Sequence, residues 1–169
     1  MKAITLWQPW ASLVLVGAKP YEFRGWKPPR SLIGKRIAIH AGARKARFAE
    51  MVDLMDRIEL GDPNQNPCLH PEPARQLLRR ALAALKQPDP DSLFPESSIE
   101  PFTLPLACIL CTAVLGVPKQ GDLCAQEFGF ASNDSDRNQN FNWGWPLTQV
   151  EPLVPPVEAR GAQGFWEWP

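Results

Sequence analysis

The sequence has no long apolar run and few cysteines, and both shortages exclude classes of protein. No stretch of 18 apolar residues occurs, and the longest runs, ASLVLV and LACILCTAVL, are too short to cross a bilayer. Gln8 and Pro9 interrupt the first apolar residues, so a secretory signal is not expected. Four irregularly spaced cysteines favour a reduced chain over a disulfide scaffold. We therefore expect a cytoplasmic protein without a membrane segment.

The chain also lacks net charge, but its charges are unevenly distributed. Residues 1–50 carry ten Lys and Arg against two acids, whereas residues 51–169 carry eight against sixteen. A basic end beside an acidic remainder favours a local nucleic-acid or nucleotide site over a general polyanion binder. An ordinary solvated basic surface explains the same pattern, so the two interpretations stay open.

The length of 169 residues suits one domain, and the patterns predict an α+β fold. QPWASLVLVG indicates a short helix, since Pro9 favours a helix start and Gly17 a helix end. Two amphipathic segments, roughly 44–60 and 72–86, predict further helices. The remaining patterns predict strands, in the segments YEFRGW, GKRIAIHA, LPLACILCTAVLGV (buried on both faces), FNWGWPLTQVEPLVPP and GAQGFWEWP.

Two turn-rich segments and the distribution of tryptophan suggest how these elements are arranged. GDPNQNPCLHPEP and KQPDPDSLFPESSIEP predict loops around a helical pair inserted within residues 44–100. No tryptophan occurs between Trp26 and Trp143, although three lie near the start and four near the end. Because large apolar residues need shared burial, we expect the two chain ends to pack together, with the middle as an appendage. Strands from both ends would then close a small barrel.

The segment GAKPYEFRGW concentrates charge directly after the predicted first helix. On a regular strand Glu22 and Arg24 share one face, and Lys19 faces the other side. A turn at Gly17 and Pro20 would swing Lys19 back, so we expect the three side chains to converge. The alternative is an exposed ion network worth roughly 0–1 kcal/mol per pair.

These residues resemble the signature of the ASCH (activating-signal-cointegrator homology) domain, Gly-x-Lys-x-x-Glu-x-Arg after a short helix. The matching positions are Gly17, Lys19, Glu22 and Arg24. RIAIHAG, ACILCTAVL, NWGWPLTQVEPL and RGAQGFWEW resemble later segments of the family in the same order. The resemblance implies a PUA-like β-barrel with the signature at the mouth of a cleft. It also implies binding of RNA or a modified nucleoside, since related proteins include RNA-binding modules, amidohydrolases acting on acetylated cytidine, and ribonucleases.

In such a cleft, aromatic and basic residues of this chain are the candidate ligand contacts. Base stacking is worth roughly 1–3 kcal/mol per base, and basic side chains contact phosphate. The candidates for stacking are Trp7, Trp26 and Trp143; those for phosphate are Arg24, Lys27, Arg30 and Arg44; Gln8 is a candidate for a base edge. Trp10, Trp166 and Trp168 are expected in the core.

Catalysis is the second hypothesis. Desolvation and the neighbouring Arg24 would lower the pKa of Lys19 and make it a base or nucleophile, with Glu22 orienting it. Glu22 would also raise that pKa, and the amidohydrolase relatives have threonine at this position, so binding is favoured. A ribonuclease would use His40 with Lys19 and Arg24, although His40 at a strand end also fits a structural role.

A third hypothesis is protein interaction, and the sequence indicates neither a metal site nor a phosphate loop. The helical pair within 44–100 is a candidate surface for a protein partner. Cys108 and Cys111 have the spacing of a zinc knuckle, but on a strand they would face opposite sides, and no second pair accompanies them. No phosphate-loop pattern occurs. We therefore expect neither a metal nor a cofactor.

Overall fold

Twelve elements alternate along the chain in a computed structural model that describes residues 1–61, 66–85, 102–133 and 142–169. They are β1 (Lys2–Leu6), α1 (Trp10–Leu15), β2 (Tyr21–Arg24), a 3-10 helix (Arg30–Leu32), β3 (Arg36–Ala41), α2 (Phe48–Leu60), α3 (Pro71–Leu85), β4 (Cys108–Leu115), β5 (Lys119–Gln120), α4 (Gly121–Glu127), β6 (Trp143–Glu158) and β7 (Phe165–Glu167). The whole of the predicted loop 86–101 lies outside the described residues, as do residues 62–65 of the first predicted loop.

The described strands form one mixed sheet in the order β2-β6-β4-β3-β1-β7, with β5 also paired to β6. β1 and β3 are parallel, and the other pairs are antiparallel. The sheet curls into a half-barrel and confirms the predicted α+β class. The 16-residue strand β6 pairs with β2 through residues 143–146 and with β4 through residues 147–158.

The two chain ends meet, as the tryptophan distribution predicts. β1 pairs with β7, placing Ala3 opposite Trp166, and the amino group of Met1 donates to the carbonyl of Trp168 over 2.6 Å. Trp166 and Trp168 pack, partly buried, against a small cluster around Ala3. The predicted core role of these two tryptophans is confirmed.

α1 connects the two larger apolar cores. Its Ala11 and Val14 face the core on the sheet, where β4 is buried along nearly its whole length. Leu13 belongs instead to a second core, which includes Leu54 of α2 and Leu78 of α3. The middle helices are therefore packed on α1 through their apolar faces. None of the described helices is long and apolar enough to cross a membrane.

Two local predictions are wrong for identifiable reasons. Helix α2 begins at Phe48 rather than near residue 44, because the Glu50 carboxylate accepts the Arg47 N–H over 3.1 Å and caps the helix there. Cys108 and Cys111 contact the same core rather than opposite faces, because the pairing register shifts between Ile109 and Cys111. Both cysteines are buried free thiols.

Candidate functional site

A cleft of about 1130 Å³ opens where the two chain ends meet. Its walls come from the ends of β1 and β3, the first residue of α1, β2 with the turn before it, and residues 159–164 before β7. Arg57 of α2 completes one side. Because these segments are distant in sequence, the cavity exists only in the folded chain.

The turn before β2 brings Lys19 into this cleft. Gly17 has φ +73°, a conformation that favours glycine, and the N–H groups of Ala18 and Lys19 both donate to the carbonyl of Leu13. The Lys19 Nζ atom then lies 3.2 Å from Glu22 Oε2, and the two side chains are only 6% and 9% exposed. The predicted convergence occurs, and an exposed ion network is the wrong description of this pair.

Glu22 also holds Arg24. Its Oε1 atom lies 2.8 Å from Arg24 Nε, and Arg24 Nη2 donates to the Thr5 carbonyl over 3.3 Å. The Arg24 Nε–H is not aimed at the carboxylate, and it has no hydrogen-bond acceptor within the described ranges. One buried carboxylate therefore fixes two cations, and the three side chains together carry one net positive charge.

The ammonium group of Lys19 is surrounded by acceptors. Besides the Glu22 carboxylate, it donates to the Tyr21 carbonyl, and it lies 5.4 and 5.5 Å from the ring centroids of Trp10 and Phe23. A carboxylate, a carbonyl and two aromatic rings therefore hold the amine in place.

The candidate tryptophans separate into one at the cleft and two elsewhere. Trp7 lines the rim and is 59% exposed. Trp26 packs edge-on against Trp145 and Phe165, with ring centroids 4.7 and 6.0 Å apart. Trp143 lies under the Lys27 ammonium at 3.9 Å. Neither Trp26 nor Trp143 is among the described residues that line the cleft.

The other two candidates are held in hydrogen bonds within the protein. Gln8 is 1% exposed; its amide donates to the Pro105 carbonyl over 2.7 Å and accepts the Ser12 N–H. It lies outside the described cleft lining.

His40 lines the cleft but is 2% exposed. Its Nε2 atom lies 2.9 Å from the Ala159 carbonyl and its Nδ1 atom 3.2 Å from Thr5 Oγ1. Burial lowers the pKa of His40. Gly161 lies so close to the imidazole that a Cβ there would come within 2.4 Å of the ring. His40 therefore helps to hold residues 159–161 as a wall of the cleft.

Sequence reasoning missed several cleft residues. Trp10 was expected in the core, and it does pack against both large cores, but it also lines the cleft beside Lys19. Arg57 and Arg160 line the cleft as well. The RGAQG segment could have indicated Arg160, because it directly precedes the strand that pairs with the chain start. No local signal distinguished Arg57 from other helix-surface residues.

The described residues include no group of three side chains suited to hold a metal ion. The described lining of the cleft contains four cationic side chains, Lys19, Arg24, Arg57 and Arg160, and one carboxylate, Glu22. The arrangement therefore presents positive charge beside exposed aromatic surface, which suits an anionic ligand that carries an aromatic group.

The chain is similar to solved structures and to one protein family. The crystal structure of ASCH from Zymomonas mobilis shares 16% identity and a TM-score of 0.45, covering 93% of this chain and 72% of that one. Two single-substitution mutants of the same protein give 16% identity, TM-scores of 0.45 and 0.43, and cover 93% of this chain and 74% and 72% of theirs. No curated protein matches the chain.

The family profile described as ASCH domain matches residues 4–98, which is more than half of the chain. The matched region contains the signature residues, the second half of β1, and β2 and β3. The curled α+β sheet is the PUA-like half-barrel that the family resemblance implies. The chain therefore belongs to the ASCH domain family.

Proposed function

We propose that the cleft binds RNA, with a phosphate at Lys19 and Arg24 and a base against a neighbouring aromatic ring. The observation that carries this proposal is the buried Glu22 carboxylate, which holds both cations in one cavity. Paired cations fixed in advance lose little conformational entropy when they meet a phosphate.

Binding is better supported than hydrolysis. A base or nucleophile at Lys19 would first have to leave the Glu22 carboxylate and the Tyr21 carbonyl, which both hold the amine in place. His40, the other candidate base, has both ring nitrogens engaged within the protein. Neither group has a free lone pair aimed into the cleft without a rearrangement.

A protein-interaction role for the helical pair has less support than RNA binding. The apolar faces of α2 and α3 pack against each other and against α1, around Leu13, Leu54 and Leu78. A groove-binding helix needs an apolar face that is not already covered. The described part of this pair uses its apolar face inside the domain.

The test is titration of the protein with a fluorescently labelled single-stranded RNA hexamer over a series of salt concentrations. Hydrogen bonds to charged groups are worth about 1.5–3 kcal/mol, so Lys19→Met and Arg24→Gln should each weaken binding about ten- to hundredfold. Each should also reduce the salt slope by about 0.7. Thermal unfolding of each variant verifies that it is folded.

Lys119→Met is the matched control, because Lys119 also pairs with a glutamate but does not line the cleft. It should leave the affinity unchanged. The proposal fails if the wild-type protein does not bind the hexamer, or if Lys119→Met weakens binding as much as Lys19→Met. Cleavage of the hexamer, or deacetylation of N4-acetylcytidine by the wild type, would replace binding with hydrolysis as the function.

A further inference from the structure

Trp7 is an unusual residue within the cleft. The other two large aromatic residues of the lining, Trp10 and Phe23, are half-buried around Lys19, whereas Trp7 is 59% exposed at the rim. It directly follows β1. An exposed indole at the edge of a charged cavity is a typical stacking surface for an aromatic ligand.

The Trp7 indole has a cation over one face and backbone beside one edge. The Arg44 guanidinium lies over the ring, with Cζ 4.7 Å from the ring centroid. Arg44 is itself paired with Glu50 in the first turn of α2. The backbone of Gly42 lies close to the edge of the Trp7 ring, since a Cβ at that position would lie 3.3 Å from Trp7 Cδ1. With one face covered and most of its area exposed, the indole presents its other face to solvent.

This stacking surface is separate from the signature residues but close to them. Arg24 donates to the carbonyl of Thr5, and Trp7 lies two residues further along the same segment. Two residues of extended chain span about 6.6 Å, so one oligonucleotide can reach both positions. The cleft volume of about 1130 Å³ also exceeds the ~300–1,000 Å³ typical of pockets for one small ligand.

We infer that Trp7 and Arg44 form an outer subsite for an unpaired nucleobase, separate from the phosphate site at Lys19 and Arg24. The inference rests on the proposed function and specifies its ligand as a single-stranded oligonucleotide that spans both positions. A base stacks on the open face of Trp7 while Arg44 supports the opposite face. Stacking of this kind accepts any base and excludes bases buried in a duplex.

The test compares adenosine 5′-monophosphate with oligoadenylates of three and six nucleotides, measured by calorimetry. The wild-type protein should bind the hexamer more tightly than the mononucleotide. Trp7→Leu should weaken hexamer binding about 5- to 150-fold, the loss of one stacked base, and leave mononucleotide binding unchanged. Lys19→Met should weaken both ligands.

Trp26→Leu is the matched control, because Trp26 is also a partly exposed indole, at 42%, but lies outside the described cleft lining. It should leave hexamer binding unchanged in protein that thermal unfolding shows to be folded. If the mononucleotide binds at Lys19 but the hexamer binds no more tightly, or Trp7→Leu has no effect, the outer subsite is refuted while the proposed function stands. If neither ligand binds, both fail.

Discussion

Two polar clusters lie on opposite faces of β2, and each contains a lysine–glutamate pair. On the cleft face, Glu22 pairs with Lys19 and Arg24. On the other face, the Glu127 carboxylate accepts hydrogen bonds from the Tyr21 hydroxyl and, over 2.5 Å, from Lys119. The lysine and glutamate side chains are 6% and 9% exposed in the inner cluster, but 42% and 46% exposed in the outer one.

The outer cluster joins parts of the fold and is balanced in charge. Its hydrogen bond to Glu127 raises the pKa of Lys119, and the same bond lowers the pKa of Glu127. Burial and Glu127 raise the pKa of Tyr21. All three groups therefore keep one charge state around neutral pH. This cluster fastens α4 and β5 to β2 and leaves no cation without a counterion.

The inner cluster differs in two respects that matter for a ligand. It has two cations for one carboxylate, and it borders a cavity. The comparison shows that a lysine–glutamate pair does not by itself indicate a binding site. Burial beside an open volume, with positive charge in excess, makes the difference.

The largest expected contrast between the clusters is in stability. Glu22→Ala should lower the free energy of unfolding by about 3 kcal/mol or more, because it leaves the Lys19 ammonium buried without its carboxylate. Glu127→Ala should cost only about 0.5–1.5 kcal/mol, since it removes the hydrogen bond from the Tyr21 hydroxyl while water can solvate the exposed Lys119. Urea unfolding monitored by tryptophan fluorescence measures both. Equal losses in the two variants would contradict the comparison.

A smaller loss of stability is expected when the Tyr21 hydroxyl of the outer cluster is removed. Tyr21→Phe removes the hydrogen bonds to Glu127 and Lys119 and should cost about 0.5–1.5 kcal/mol of unfolding free energy. RNA affinity should be unchanged, because Lys19 contacts the Tyr21 backbone carbonyl, which the substitution retains. Unfolding and hexamer binding are measured on the same preparation. A loss of affinity equal to that of Lys19→Met would show that the outer cluster is not purely structural.

The smallest expected effect is on the pH dependence of the unfolding free energy. Burial lowers the pKa of His40 below 6.5, so the folded state binds this proton less readily than the unfolded state. The resulting stability is fully present above pH 6.5 and is lost as the pH falls through the lower folded pKa. Unfolding free energies between pH 8 and 5 should decline for the wild type and decline less for His40→Gln. Glu127→Gln should leave the decline unchanged, and a flatter curve for that variant would locate the titrating group in the outer cluster.

The inner cluster was predictable from the sequence because it depends on short-range rules, and the meeting of the chain ends was predictable because the tryptophans lie only near the two ends and need shared burial. Gly17 permits the turn that Lys19 needs, and alternation along β2 places Glu22 and Arg24 on one face. The sequence did not predict that Trp26 and Gln8 pack within the protein rather than line the cleft. An aromatic ring or an amide suits a ligand or a protein interior equally well, and the neighbours that decide between them, Phe165 and Pro105, lie more than 90 residues away.

The sequence by itself determined the elements, the α+β class and the side chains that converge at the start of β2, because glycine conformation, strand alternation and helical periodicity act over a few residues. Only the tertiary structure decided that Glu22 is buried, that Trp7 rather than Trp143 borders the cleft, and that Arg57 and Arg160 share it. Burial and shared volume depend on packing between distant segments. For that reason a local charge pattern becomes a candidate binding site only when the two ends of the chain enclose it.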